Sequence, residues 1–231
     1  MPFSHLRFMM AFLANAFLIA CPALAQTAPL CASDGQAVPR MLLERFINAD
    51  CASCWKDGAA KPRPGTLVLD WVVPGHQGHE APLSAVAQQE TLERLSVLGI
   101  TPPAANASHS SKVAGGPHRL RVAHGLVLNG YVGASLRFDS PAALAKPLTG
   151  WLALVERLPA GTEGSPVART LVRNLLTEPI SPRPADAMGQ FWRTMSVPEG
   201  TDPDRLAVLG WVSDSKGRVL SAAFSRCPPL R

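Results

Sequence analysis

Hydrophobic and polar positions in the first half of the chain alternate between strand-like and helix-like patterns. The stretches MLLERF (41–46) and TLVLDWVV (66–73) are short and mostly apolar, which predicts two buried strands. Residues 81–99 carry apolar side chains at helical spacing, which predicts an amphipathic helix. A shorter helix is predicted to begin at Cys51, and the Pro/Gly-rich segment 58–65 ends it.

A hairpin and one more helix complete this half of the chain. The stretches LRVAHGLVLN and YVGASLRF flank Asn129 and Gly130, a pair that is the strongest short-range signal for a β-hairpin. Residues 101–118 are rich in Pro, Ser, Ala and Gly, and we predict a loop there. Residues 139–147 combine a capping residue with a following proline, which predicts a helix. The resulting order, βα, βα, ββ, α, is that of the thioredoxin fold, in which the first two strands lie parallel in one sheet.

The second half of the chain repeats a strand-like pattern. Its predicted strands cover 150–158, 167–177, 190–197, 206–213 and 218–225, and the turn DSKG joins the last two. We therefore predict an α/β protein in three parts. These are a signal peptide at 1–25, a thioredoxin-like domain at 26–147 and a small, β-rich, sandwich-like domain at 148–231.

The first residues have the layout of a secretory signal peptide. A basic segment ends at Arg7, an apolar run covers 8–20, and the small residues of ALA precede a cleavage point at Gln26. The apolar run is shorter than the roughly 20 residues that a membrane-spanning helix needs. We expect a periplasmic or secreted protein. In the alternative, LIAC (18–21) is a lipobox, and a lipid on Cys21 anchors the protein to the membrane.

Composition and charge narrow the function classes. The chain has 22 Pro and 18 Gly, which favours turns and short elements, and its formal net charge is +5. No Lys/Arg cluster and no aromatic stacking surface accompanies this charge, so we predict no nucleic-acid partner. The motifs GxSxG, HExxH and GxGxxG are absent from the sequence, and we predict no cofactor.

Four cysteines remain after the predicted cleavage: Cys31, Cys51, Cys54 and Cys227. An even number in an oxidising compartment predicts disulfides. Because loop-closure entropy favours the nearest pair, we predict that Cys51 bonds to Cys54, which leaves Cys31 to bond to Cys227. Two free terminal thiols are the alternative.

The close pair has the spacing of a redox site. A thiolate at Cys51 would meet the N-terminus of the predicted helix, where unpaired N–H groups and the helix dipole lower its pKa. Cys54, three residues later, would lie on the same side of the helix and could attack a mixed disulfide formed at Cys51. These two residues are the predicted catalytic thiols of a thiol–disulfide oxidoreductase that acts on thiol-containing envelope proteins.

Several stretches together resemble a family of secreted bacterial proteins of unknown function. They are ERFINADCASC, LVLDWVV, HGLVLNG, LALVERL, RTLVRNLL and LAVLGWVSDSKGRVLSAAF, and the resemblance spans roughly residues 38–225. It implies a thioredoxin-like N-terminal domain followed by a small β-rich domain. Glu44 matches an acidic position of that family, which makes it a candidate catalytic residue, a buried proton acceptor for Cys54. The alternative is a surface charge beside Arg45.

Two other functions stay open at this point. Thioredoxin-like enzymes carry a cis-proline near the active pair, and this chain has His124 at that position. The pair could therefore be a structural disulfide in a non-catalytic, thioredoxin-fold binding module. Alternatively, Cys51 and Cys54 could join His76 and His79 in a periplasmic protein that handles Cu(I) or Zn(II), since both metals accept thiolate and imidazole ligands.

Overall fold

The computed structural model describes residues 31–58, 61–140, 146–180 and 189–228, and these ranges contain eleven β-strands and two α-helices. The strands are β1 (Cys31–Ala32), β2 (Met41–Asn48), β3 (Thr66–Val73), β4 (Asn106–Lys112), β5 (Arg119–Leu128), β6 (Tyr131–Asp139), β7 (Leu148–Leu158), β8 (Arg169–Ile180), β9 (Gly189–Ser196), β10 (Leu206–Ser213) and β11 (Val219–Phe224). The helices are α1 (Ala52–Lys56) and α2 (Glu90–Leu98). The predicted signal peptide and the middle of the helix predicted at 139–147 lie outside the described residues.

The strands form two sheets of unequal size. The larger sheet has the order β11-β10-β7-β8-β3-β2-β4, and the smaller sheet has the order β1-β5-β6-β9. In the larger sheet β3 lies parallel to both β2 and β8, and every other pair of neighbouring strands is antiparallel. The smaller sheet is antiparallel throughout.

One face of the larger sheet carries a core rich in aromatic side chains, which we call the aromatic core. Trp151 and Trp211 stack with ring centroids 5.5 Å apart, and Phe46 stacks on Trp71. Leu95 of α2 is fully buried in the same cluster, so the amphipathic helix covers this face. Gly99, at φ 66°, ends α2 in the left-handed conformation that glycine adopts without steric cost.

The opposite face of the larger sheet packs against two different partners. Val122 and Leu136 of the smaller sheet pack against β7 and β10 in a sandwich. A Cβ on Gly210 would lie 2.5 Å from Cγ1 of Val122, so a glycine at this position lets the two sheets approach. At the other end of the same face, Ile47 belongs to a buried cluster that includes Trp55 of α1.

The predicted fold class, an α/β thioredoxin-like domain followed by a small β-rich domain, is wrong. The protein is mostly β-structure, and its two α-helices in the described ranges are five and nine residues long. The predicted hairpin, β5–β6, does not lie in the same sheet as β2 and β3. It forms the centre of the smaller sheet instead. Strands from both sides of residue 147 lie side by side in the larger sheet, because β3 pairs with β8.

A predicted loop contains a strand that the sequence pattern conceals. β4, with the sequence NASHSSK, lies within 101–118 and pairs antiparallel with β2 at the edge of the larger sheet. Every residue of β4 is exposed or half-buried, and none of them is a large apolar residue. The alternation of apolar and polar positions that indicates a buried strand is therefore absent. The local predictions of β3, β10 and the hairpin are confirmed, and Asn129 and Gly130 both have positive φ at the turn.

Candidate functional site

The close cysteine pair forms a disulfide at the junction between β2 and α1. Cys51 is the N-cap of α1, and its Sγ accepts a hydrogen bond from the backbone N–H of Cys54 at 3.3 Å. The hydroxyl of Ser53 lies 3.5 Å from the same sulfur. Cys51 is half-buried, whereas Cys54 is only 8% exposed. The two sulfurs therefore differ in their access to solvent.

Helix α1 is short, but Trp55 fixes it to the rest of the molecule. The indole Nε1 donates to the carbonyl oxygen of Glu163 at 2.6 Å, and the carbonyl oxygen of Trp55 accepts from Nη2 of Arg169 at 2.7 Å. The Arg169 guanidinium also lies 4.5 Å from the centre of the Trp55 ring, within the range of a cation–π interaction. These contacts hold α1 in place although it has little more than one turn.

A buried group of charges lies between α1 and the larger sheet. Asp70 is fully buried, and its carboxylate contacts Arg45 at 2.7 Å and Arg169 at 3.2 Å. The backbone N–H of Thr170 also donates to this carboxylate at 2.8 Å. Burial lowers the pKa of Arg169, Asp70 opposes this effect, and repulsion from Arg45 adds to it. One carboxylate faces two guanidinium groups, so the cluster carries a net positive charge.

Two cavities are lined in part by the arginines of this charged group. A cavity of about 350 Å³ is lined by Cys54 together with Arg45 and Arg169. A larger groove of about 1000 Å³ shares the same two arginines. Its lining includes six basic side chains, Arg45, Lys61, Arg157, Arg169, Arg205 and Arg226, against one acidic side chain, Asp204. The described lining is therefore suited to an anionic ligand.

The structure does not bring Glu44 to the cysteines. Its carboxylate accepts two hydrogen bonds from Arg94 of α2, at 2.8 and 2.7 Å. The Arg94 guanidinium lies 4.7 Å from the Trp151 ring, so this ion pair belongs to the aromatic core. Cys54 packs with Ile47 on the other face of the sheet, because successive side chains of β2 point to opposite faces. Glu44 is buried, but it is placed to balance Arg94 rather than to accept a proton from Cys54.

Sequence reasoning missed the residues that do approach the pair. Arg45 and Ile47 alternate with Glu44 along β2, and this period-2 alternation is the signal that could have placed Arg45 on the side of α1. Arg169 is more than 110 residues away from Trp55 in the chain, and no sequence motif connects the two.

The residue before the pair is tied to the loop that follows β3. The Asp50 carboxylate accepts the backbone N–H of His76 at 2.8 Å and that of Gln77 at 3.3 Å. A Cβ on Gly75 would lie 2.1 Å from an oxygen of this carboxylate, so a larger residue there would displace the Asp50 side chain from its hydrogen bonds. His76 and His79 are exposed, and within the described ranges neither shares a three-ligand metal group with Cys51 or Cys54.

A second disulfide joins Cys31 in β1 to Cys227 near the end of the described chain. Cys31 lies directly opposite His124 of β5. The His124 side chain is 5% exposed, and its Nδ1 lies 2.9 Å from the carbonyl oxygen of Gly125. Burial lowers the pKa of His124, and this hydrogen bond opposes the shift. The described chain has no cis peptide bond, so His124 does not reproduce the geometry of a cis-proline.

Comparisons with protein-family models, with curated proteins and with solved structures found no significant match to this chain. Two disulfides are typical of proteins in an oxidising compartment. Within the residues that the structure describes, neither helix has the length and apolar character needed to cross a bilayer.

Proposed function

We propose that the protein is exported to the periplasm or beyond and carries out thiol–disulfide exchange through Cys51 and Cys54. The observation that carries this proposal is the asymmetry of the pair. The half-buried Cys51 sulfur sits at the start of α1 and accepts the Cys54 N–H, whereas Cys54 is buried behind it. Attack on a partner requires an accessible sulfur, and resolution of the mixed disulfide requires a second sulfur close behind it.

Local charge favours the thiolate form of the pair. After reduction, the backbone N–H of Cys54 remains placed to stabilise a Cys51 thiolate. Arg45 and Arg169 line the same cavity as Cys54 and favour an anion at the Cys54 sulfur, although Asp57 and Asp70 lie nearby and oppose this effect. α1 is too short for a strong helix dipole, so these discrete groups carry most of the stabilisation.

The exchange steps follow from the geometry. The Cys51 thiolate attacks one sulfur of a partner disulfide, forms a mixed disulfide and releases one partner thiolate. Cys54 then loses its proton to solvent in the adjoining cavity and attacks the Cys51 sulfur, which releases the second partner thiolate. The partner gains two electrons, and Cys51 and Cys54 return to the disulfide. The opposite sequence oxidises a partner dithiol.

The groove beside the site suggests which partners fit. Lys61, Arg157 and Arg226 line it and are all exposed, and within the described residues no carboxylate forms a salt bridge with any of them. An acidic segment of a thiol-containing envelope protein would supply the missing negative charge. Salt in the assay should therefore weaken the exchange reaction, since exposed charges are screened within about 10 Å at 0.1 M ionic strength.

Alkylation kinetics test the proposal. After mild reduction, iodoacetamide near neutral pH should label Cys51 at least tenfold faster than Cys54, because the first sulfur is accessible and the second is buried. The variant Cys54→Ala should accumulate mixed disulfides with envelope proteins through Cys51, and the matched variant Cys51→Ala should not. Equal, slow labelling of both thiols would contradict the proposal.

One observation favours a structural role as the second candidate. α1 has only five residues, and the disulfide closes its first turn, so the bond could serve to hold the helix. Structural disulfides resist reduction down to potentials below about −300 mV, whereas exchange pairs reduce at higher potentials. A redox titration of the Cys51–Cys54 bond therefore separates exchange chemistry from a non-catalytic binding module.

A further inference from the structure

We propose that Cys31, Cys227 and His124 form a binding site for Cu(I) when the disulfide between the two cysteines is reduced. This site is separate from Cys51 and Cys54, and it does not depend on the function proposed for them. One ligand atom from each of the three residues lies within 4.8 Å of the others. Two thiolates and an imidazole are ligands that Cu(I) prefers.

His124 is already prepared to act as a ligand. Its Nδ1 lies 2.9 Å from the Gly125 carbonyl oxygen, which can only accept, so Nδ1 carries the proton. The lone pair is then on Nε2, a buried atom with no hydrogen-bond partner in the described structure. A buried polar atom without a partner is destabilising, and a bound cation would satisfy it. The hydrogen bond to Gly125 is also the type of contact that orients metal-bound histidines.

The two cysteines should stay together after reduction. Ala32, next to Cys31, exchanges two backbone hydrogen bonds with Arg226, next to Cys227, at 3.0 and 2.9 Å. The neighbouring Ser33 bonds to the Val122 backbone through both its own N–H and its hydroxyl. The reduced sulfurs need to separate only to about 4 Å, the spacing of two thiolates in a three-ligand site when each lies about 2.3 Å from the metal, the metal–sulfur distance typical of zinc.

The three ligand residues differ in their exposure to solvent. Cys31 and His124 are buried, which shields two of the ligands from water, whereas Cys227 is exposed. A small dithiol can therefore attack the disulfide at the Cys227 sulfur. It is oxidised to its own disulfide as Cys31 and Cys227 gain two electrons and two protons. Binding of one Cu(I) then releases those two protons and leaves both thiolates bound to the metal.

A titration with Cu(I) tests the site. We would use the full mature chain with Cys51→Ser and Cys54→Ser, reduce it with dithiothreitol, remove the reductant, and add Cu(I) in competition with bicinchoninate, a chromogenic Cu(I) chelator. The expected result is one Cu(I) per chain. His124→Phe should weaken the affinity about tenfold or more, as expected for loss of a contact at a metal site. The control His79→Phe, in an exposed loop, should change the affinity less than twofold.

A second measurement avoids the serine substitutions in case they prevent folding. In the reduced wild-type chain with two equivalents of Cu(I), alkylation of Cys31 and Cys227, followed by peptide mass spectrometry, should be at least tenfold slower than without metal. Unchanged alkylation rates would overturn the proposal. So would a Cu(I) affinity that His124→Phe leaves unaltered.

Discussion

The two disulfides differ in what surrounds their sulfurs. Cys51 and Cys54 are three residues apart at the start of a helix, and the charged groups nearby are Arg45 and Arg169 with two aspartates, Asp57 and Asp70. Cys31 and Cys227 are 196 residues apart, and the group beside them is a buried imidazole with a free lone pair. Positive charge near a cysteine favours a reactive thiolate. An imidazole nitrogen with a lone pair instead favours a metal ion bound between that nitrogen and the two sulfurs.

This difference shows that cysteine spacing alone does not assign a chemical role. The short spacing draws attention to Cys51 and Cys54, and the long one suggests only a structural bond. The structure places a candidate metal ligand, His124, beside the distant pair, and no three-ligand group within the described residues includes the close pair. The identity of the third side chain matters more than the number of residues between the cysteines.

The largest effect should come from Arg169→Met. The change removes contacts with Asp70 and with the Trp55 carbonyl, and it leaves a buried carboxylate with less compensation. We expect the free energy of unfolding, measured by urea denaturation, to fall by about 3–5 kcal/mol. The rate of Cys51 alkylation at pH 7 should also fall, since the positive charge near the pair is lost.

Arg94→Met is the matched control for this substitution. It also removes a buried guanidinium, from the Glu44 carboxylate on the opposite face of the sheet. A similar loss of stability is expected, but Cys51 alkylation of the folded protein should not change. If both variants slow alkylation equally, the effect of Arg169 comes from general destabilisation and not from charge.

The terminal disulfide should have the next largest effect. The double variant Cys31→Ser, Cys227→Ser removes a bond that links residues 196 positions apart in the unfolded state, so the free energy of unfolding should fall by about 2–4 kcal/mol. Calorimetry at neutral pH measures this change. The described contacts of the Cys51 sulfur are with Cys54 and Ser53, and they include neither Cys31 nor Cys227. The alkylation rate of Cys51 should therefore stay within twofold of wild type.

The smallest effect should come from an ion pair just beyond β1. The hydrogen bond from Arg121 lowers the pKa of Asp34, against a weaker opposing effect of burial, so the charged carboxylate stabilises the fold. Both side chains are exposed, and Asp34→Asn should cost only about 0.2–1 kcal/mol at neutral pH and low salt.

The pH dependence of this pair has a definite sign. A carboxyl whose pKa is lowered by folding contributes stability at pH values above its unfolded pKa of about 3.9, and the contribution disappears as the pH falls through the lower, folded value. The difference in unfolding free energy between wild type and Asp34→Asn should therefore be the same at pH 7 and pH 5. A difference that grows on acidification would contradict this assignment.

Local sequence signals predicted several elements well. β3 and β10 carry apolar stretches of strand length, and the Asn129-Gly130 pair set the hairpin. The structure also joins Cys51 to Cys54, the pair that loop entropy favours, and Cys31 to Cys227, the pair that then remains. The strands and the hairpin depend on residues that are neighbours in the chain, and the disulfide pairing depends on the number and spacing of the cysteines. A single sequence contains both kinds of information.

The sheet arrangement and the surroundings of the site could not be predicted in the same way. β4 carries small polar side chains because it lies at a solvent-exposed edge, so its pattern resembles a loop. The alternation along β2 separates Glu44 from Arg45, but the partner that each side chain meets depends on where other elements pack. Arg94 reaches Glu44 from α2, and Arg169 reaches Asp70 from a strand about 100 residues later. Such contacts follow from tertiary packing and leave no periodic trace in the sequence.

The pairing of β3 with β8 has a consequence for how the chain folds. Asp70 takes hydrogen bonds from Thr170 and Arg169, about 100 residues later in the chain. Until β8 has been synthesised and has packed, β3 lacks one of its two parallel neighbours, and Asp70 lacks two of its three bonding partners, Arg169 and Thr170. Contacts between distant residues must overcome a large loop-closure entropy, and they are typical of slowly folding β-proteins. We therefore expect the first half of the chain to stay largely unfolded until the second half has been synthesised.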